Sequence, residues 1–324
     1  MLSRVFNQRS GQRGASRIVQ FDWRQYVVYF GFVLLFILFA IILRESGFTS
    51  PNNLLNIVRQ TAIIAVMAVA VTFVISAGEI DLSVGSLAGL ASVTTAMALG
   101  SFGLIPGVIA GLLTGAVVGA INGFLVTSIG IPSFLVTLGM LGIANGVAQW
   151  ITNTAPVPIA SDTYNNIFGS GNLGPIPSLL IWLVLVGIGG YVVLRKTPYG
   201  RQVLATGGNA AAARFSGVNT RRIRFLIMFF SGVFAALGGM LYAGRLHSGR
   251  FTVGQGDELS VIAAVILGGT SLFGGSGTVV GTVLGALMIG LINNGLILMG
   301  LEFSQQVIIR GVIIILAVAL ARQD

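Results

Sequence analysis

Long apolar runs alternate with short polar or glycine-rich breaks along nearly the whole chain. A helix needs about 20 apolar residues to cross a bilayer, so the pattern predicts an all-α polytopic membrane protein of about ten spans. They fall at 27–43, 57–77, 83–99, 104–126, 132–152, 178–194, 225–243, 259–268, 278–299 and 303–321. No residue from Leu82 to Ser161 is charged, a length that fits three spans with tight turns at Gly100 to Gly103 and at the Gly130, Pro132 pair. Segment 259–268 is too short to cross alone as a regular helix. It either extends into the glycine-rich run GGTSLFGGSG at 268–277 or is a partial crossing. Thr49, Ser50 and Pro51 mark a break, after which the second helix is expected to start near Asn53 or Leu54, with Arg59 snorkelling from its outer end. Residues 152–177, with Pro156, Pro158, Pro175 and Pro177, read as the longest outer loop.

Composition narrows the class. Of 324 residues, 55% are hydrophobic and 8% charged, and mean hydropathy is +0.93. Soluble proteins carry about 25% charged residues, so this chain cannot cover a water-facing surface. The 46 glycines suit close helix packing in lipid, and the absence of cysteine excludes disulfides, thiol chemistry and iron–sulfur sites. The net charge of +9 is not a nucleic-acid footprint, because the arginines sit at the ends of spans, where they act as topology signals.

Charge then orients the chain. The run 195–224 holds Arg195, Lys196, Arg201, Arg214, Arg221, Arg222 and Arg224 with no acid, and basic connections stay cytoplasmic. The tail 1–24 carries Arg4, Arg9, Arg13, Arg17 and Arg24 against Asp22 alone, and reads as a short disordered cytoplasmic segment. The apolar run behind it ends in Arg44, Glu45 and Ser46 without a small-residue cleavage site, so it is a retained span rather than a signal peptide. The expected organisation is a tail at 1–24 and one transmembrane domain at 25–324, with a cytoplasmic loop at 195–224. Ten spans place both termini and that loop inside. The outer connection 244–258 sets Arg245 and Arg250 against Asp257 and Glu258. Spans two to five begin outside and spans seven to ten inside, so the two groups read as inverted repeats. Each has a small-residue motif near its middle connection, GEIDLSVGS at 78–86 and GGTSLFGGSG at 268–277.

Little in the chain supports catalysis. There is no G-x-x-x-x-G-K-[ST] pattern and the sole lysine is Lys196, so no ATP site is expected and the chain is not an enzyme. His247 is the sole histidine and has no second imidazole for a metal site or charge relay. Met228, Phe229 and Phe230 read as core or lipid contact. Amides at Asn56, Gln60, Asn122, Asn145, Gln149, Asn293 and Asn294 lie in or near apolar spans and must find partners there. They either line a path for a hydroxylated solute or bond helix to helix. Asp81, just before Leu82 and Ser83, is placed to cap the third helix, which points to a structural or gating role. Ala210 to Arg214 is a short helix former bounded by Asn209 and Gly217.

Four stretches together resemble the permease subunits of bacterial ATP-binding-cassette sugar importers, the ribose and monosaccharide permease family of the branched-chain amino acid/sugar permease superfamily. They are NNLLNIVRQ at 52–60, GEIDLSVGS at 78–86, GNAAAARFSG at 208–217 and VILGGTSLFGGSGTVVGTVLGALMIGLINNGL at 265–296, within a resemblance spanning 48–321. It implies that Gly208, Asn209, Ala212, Ala213, Arg214, Ser216 and Gly217 form a coupling segment that docks into an ATPase subunit. It further implies gating or structural motifs at Ile80, Asp81, Leu82, Ser83, Gly85 and Ser86, and at Gly268, Gly269, Thr270, Gly274, Gly275 and Gly277. Glu79 departs from the family, where many members have glycine. The implied partners are a cytoplasmic ATP-binding subunit carrying ATP and Mg, an extracytoplasmic sugar-binding protein, a second permease copy or sister permease, and the lipid of the bacterial inner membrane. The rival reading is a secondary transporter driven by an ion gradient. It requires ionisable residues buried at mid-depth, of which the span assignment offers only Arg310.

Overall fold

The computed structural model describes residues 24–321, so the tail before Arg24 lies outside the described residues. Helices follow in chain order as α1 Arg24–Ile42, α2 Pro51–Ser76, α3 Val84–Phe102, α4 Leu104–Phe124, α5 Ser133–Thr152, α6 Asp162–Phe168, α7 Ser178–Lys196, α8 Pro198–Gly208, α9 Ala210–Phe215, α10 Thr220–Leu246, α11 Asp257–Leu267, α12 Val279–Leu298 and α13 Phe303–Ala321. A π-helical turn at Leu125–Ile129 prolongs α4. A 3₁₀ turn at Arg44–Ser46 precedes α2, and two antiparallel bridges are also present. β1 Val157–Pro158 pairs with β4 Ser248–Gly249, and β2 Asn172–Leu173 pairs with β3 Ile176–Pro177.

Seven of the described helices are long and apolar enough to cross a membrane: α2, α3, α4 with its π turn, α5, α7, α10 and α12. The protein is thus a polytopic α-helical membrane protein. α1 offers only the shorter apolar stretch Val28–Ile42, and α11 has 11 residues.

Two sequence expectations need correction. The second helix starts earlier than Asn53, because Pro51 takes the first helical position, where its missing N–H costs nothing, and Ser50 Oγ accepts the Asn53 N–H at 3.3 Å. The basic stretch 195–224 is not a loop. It holds α8, α9 and the first turn of α10, each begun by a capping side chain: Thr197 Oγ1 to Gly200 N at 3.3 Å, Asn209 Oδ1 to Ala212 N at 3.0 Å, and Asn219 Oδ1 to Arg222 N at 3.0 Å. The seventh span consequently begins at Thr220 and runs to Leu246.

α2 is the central post. Its residues from Ala62 to Val69 are all buried, and it packs against α10, α12, α7 and α11. α10 in turn lies against α4 so closely that a Cβ on Gly119 would stand 2.7 Å from the Phe229 carbonyl oxygen. Lipid supplies no hydrophobic force between helices, so such backbone approach is what holds them. Met228 is fully buried in this packing, while Phe230 is exposed. α1 covers α12 through Phe39, with Leu43 and Phe48 beside it, and its ring centroid lies 5.7 Å from that of Phe48.

Candidate coupling and translocation site

The residues expected to couple to a partner form the tip of the basic end. In α9, Ala213 is buried, while Ala212, Arg214, Ser216 and Gly217 are exposed. Gly217 has φ +85°, a left-handed turn that releases the chain toward α10. Beside them stands Phe215, 93% exposed. It escaped the sequence reading because one aromatic in a helical run gives no sign of which way it points.

Below the tip, α8 is fastened to the bundle. Val203 packs with Val74, Ala77, Ile223, Ile227 and Met228, and the rings of Phe73 and Tyr199 stack with centroids 6.4 Å apart. Burial pushes the Tyr199 phenol up to about 12. The end of α8 enters a junction of three backbones. Gly275 N donates to Ser76 O at 2.9 Å, tying the 268–277 motif to the end of α2. A Cβ on Gly207 would collide with that same Ser76 oxygen and stand 2.7 Å from Gly275 N, and one on Gly274 would stand 3.0 Å from Gly78 Cα. Motifs 78–86, 208–217 and 268–277 thus share one contact point. Gly207, outside the expected coupling list, is at its centre, whereas a Cβ on Gly208 would meet Gly275 Cα at an ordinary 3.6 Å. Gly269, at φ +85°, follows α11, and Thr270 Oγ1 accepts the Thr278 N–H at 3.3 Å.

From the junction, residues 78–83 climb into the bundle with a polar group taken at almost every step. Glu79 pairs with Arg224 at 2.9 Å. Ile80 N donates to Ser133 Oγ at 3.1 Å, and Thr137 Oγ1 donates to Ile80 O at 3.3 Å. Asp81 is 1% exposed. Its Oδ1 accepts the Ser83 N–H at 2.9 Å and the Ser83 hydroxyl at 2.6 Å, and its Oδ2 accepts the Ser231 hydroxyl at 2.7 Å. Asn122 Nδ2 donates to Ser83 Oγ at 3.1 Å. Asp81 therefore does not occupy the cap position of α3. Ser83 does, without a side-chain cap bond, and Asp81 holds Ser83 while clasping α10.

On the opposite side, the chain leaving α10 folds back along α3 instead of staying in an outer loop. Ser92 Oγ donates to Arg250 O at 3.0 Å, and a Cβ on Gly89 would stand 2.7 Å from Phe251 O. The descent ends where Gly85 meets Gly254 and Glu258, so α11 begins beside the first turn of α3. Asp257 accepts a hydrogen bond from Tyr242 at 2.5 Å, and Gln255 Nε2 donates to Asn145 Oδ1 at 3.0 Å. Glu258 Oε2 and Asn293 Oδ1 are buried without a hydrogen-bond partner. The apolar pattern places Asp257 and Glu258 in an outer connection and offers no ionisable group at mid-depth in spans two to nine. The folding-back of 248–256 is the physical reason that both acids lie within the bundle. The side chain of Arg310 lies outside the described residues.

The expected path amides separate into groups. Asn294 exchanges two bonds with Asn53, at 2.9 and 2.8 Å, tying α12 to the start of α2. Asn122 serves Ser83. Asn145 and Gln149 are half-buried on α5, where Gly142 and Gly146 face open space. Gln60 is half-buried and Asn56 exposed at the start of α2. His247 closes α10 at φ +52°, its Nε2 2.9 Å from Ser170 Oγ. Among the described residues no three His, Cys, Asp or Glu side chains gather as a metal site would require.

The chain is similar in sequence to known proteins along most of its length. The family model described as branched-chain amino acid transport system / permease component matches residues 53–318. The ribose import permease protein of Bacillus subtilis (strain 168) is 42% identical over 295 residues, covering 90% of this chain and 92% of that protein. The ribose import permease protein of Escherichia coli (strain K12) is 40% identical over 294 residues, 88% of this chain and 91% of that one. The L-arabinose ABC transporter permease protein of Azospirillum brasilense is 34% identical over 294 residues, with 89% and 86% covered. No solved structure matches the chain.

Proposed function

The chain belongs to the family of branched-chain amino acid transport system permease components, and on that premise we propose that it carries a monosaccharide through the bacterial inner membrane. It is the transmembrane permease component of an ATP-binding-cassette importer, and ATP hydrolysis resides in a separate subunit. The cargo rests on relatives named for ribose and L-arabinose import. The observation that carries the mechanism is the meeting of the exposed α9 tip, through α8, with the backbone junction of Gly207, Ser76 and Gly275. A cytoplasmic ATPase binding ATP and Mg grips Arg214, Phe215 and their small neighbours. Its closure displaces α8, and the junction passes that movement to α2 and to the turn between α11 and α12. A second permease copy or sister chain completes the path, and an extracytoplasmic binding protein delivers the sugar. Asn145 and Gln255, bonded to each other, and the half-buried Gln149 supply hydroxyl-compatible partners on the α5 side.

Ten crossings with both termini cytoplasmic follow when α1, α11 and α13 join the seven long helices. The inverted repeat is supported by matched neighbours: α10 lies on α4 and α3 as α2 lies on α12 and α11, and α3 touches α5 as α11 touches α13. In this correspondence Asp81, Leu82, Ser83 and Val84 match Glu258, Leu259, Ser260 and Val261, so the counterpart of 78–86 is the start of α11 rather than 268–277.

The test is sugar uptake into sealed proteoliposomes holding this chain with its ATPase and binding protein. Uptake that needs ATP and both partners, and collapses in an Arg214→Ala, Gly217→Ala double variant that still assembles, supports the reading. Uptake by the lone chain on a proton or sodium gradient overturns it.

A further inference from the structure

A cavity of about 920 Å³ opens between α1, α7 and the start of α12, at the basic end of the bundle. Arg195 and Lys196 close one wall, Tyr29 and Tyr191 stand at its sides, and the backbone of Gly268, Gly277 and Thr278 forms its back. Among the described residues no acidic side chain lines it. Both cations are exposed, and neither forms an ion pair with a carboxylate among the described residues. An unpaired double charge facing a hollow repels cations and attracts a compact anion.

The surroundings identify the source of that anion. α1 and α7 each rest on α12, Gly31 beside Met288 and Gly187 beside Val283. Between them α12 presents Val280, Leu284 and Leu287, one stripe at helical spacing that is exposed or half-exposed. The flanking walls are exposed and apolar, Val33 and Ile37 on α1, Val184 and Ile188 on α7. An apolar furrow thus rises from a cationic hollow, with tyrosines where bilayer meets water. A soluble anion has no use for the furrow, whereas a lipid fills both parts. We propose that this cavity binds the headgroup of an anionic phospholipid, with its acyl chains along the furrow between α1 and α7. Basic pockets between cytoplasmic helix ends recognise such headgroups. The bound lipid would lie against Gly268 and Gly277, in the same turn that meets Gly207, and so it would steady the coupling junction.

Native mass spectrometry of the full chain with phosphatidylglycerol and phosphatidylcholine in equal amounts tests the proposal. Two unscreened basic residues imply a preference for the anionic lipid on the order of thirtyfold. That preference should vanish in an Arg195→Gln, Lys196→Gln variant and persist in Arg201→Gln, whose charge lies outside the cavity. Because the double variant also weakens a topology signal, Val280→Trp provides a second probe that keeps both charges and obstructs the hollow. It should lose the lipid as well. Removing residues 1–23 should change nothing. The proposal is overturned by an equal loss in Arg201→Gln, by retention in Val280→Trp, by displacement with excess inorganic phosphate, or by lipid binding that appears only when the tail is removed.

Discussion

Gly207 and Gly208 are adjacent, chemically identical and set in the same helix, yet the fold assigns them opposite tolerances. Replacing Gly207 with alanine puts a methyl group into the Ser76 carbonyl oxygen, 2.7 Å from Gly275 N and 2.9 Å from the Ala77 carbonyl carbon. All three are main-chain atoms of other segments, so no side chain can swing aside. Relief requires α8 to move by roughly 1 Å from the end of α2, and strain of that kind costs about 1–3 kcal/mol. Since about 1.4 kcal/mol is tenfold in an equilibrium, the junction's balance between conformations shifts by up to about a hundredfold. Replacing Gly208 brings its methyl group to 3.6 Å from Gly275 Cα, ordinary contact, and costs a few tenths of a kcal/mol at most by the same reasoning. The assay measures ATP hydrolysis and sugar uptake together in proteoliposomes of the assembled importer. Gly207→Ala should reach the membrane and support hydrolysis while uptake per ATP falls at least about fivefold, and Gly208→Ala should keep the wild-type ratio. Equal damage from both variants, or none from Gly207→Ala, would refute the junction as the transmission point.

Three further outcomes follow from particular groups. Asp81→Ala removes three hydrogen bonds to a buried carboxylate and should cost at least about 3 kcal/mol, whereas Asp81→Asn keeps the Ser83 bonds and should cost about 1–2 kcal/mol. Thermal unfolding in detergent checks that order of midpoints. Phe215→Ala should weaken ATPase binding by about 2 kcal/mol, roughly thirtyfold in Kd, and leave the chain's own unfolding midpoint unchanged because the ring touches solvent. Titration of the purified pair measures the first, and a thermal scan the second. Burial raises the Tyr199 phenol from 10.0 to about 12, so its contribution to stability is complete below about pH 10 and lost as pH rises through about 12. The alkaline branch of a stability–pH curve should flatten in Tyr199→Phe; an unchanged branch would show that this ring is not its source.

Seven of the expected spans were legible because the signal is local: a run of apolar residues needs no knowledge of neighbours. The same locality explains the failures. Pro51 reads as a breaker until Ser50 is seen capping the helix from the residue before it. The basic stretch reads as loop because α8 and α9 are short, 11 and 6 residues, and the start of α10 is marked there only by the Asn219 cap. Whether an amide lines a path or locks two helices depends on its partner, and Asn53 meets Asn294 from the far end of the chain. Gly207 looks no different from Gly208 along the sequence, since the difference lies in Ser76 and Gly275. Glu258 reads as a surface acid until residues 248–256 are seen lying against α3.

That folded-back segment bears on how the protein is made. α11 has 11 residues and starts with two acids, so it lacks the apolar length to enter lipid unaided as it leaves the ribosome. The segment leading into it lies on the backbone of Gly85, Gly89 and Ser92 in α3, and α11 itself packs on α2 and α12, of which α2 is synthesised far earlier. α2 and α3 therefore offer the younger segment a protein seat in place of lipid.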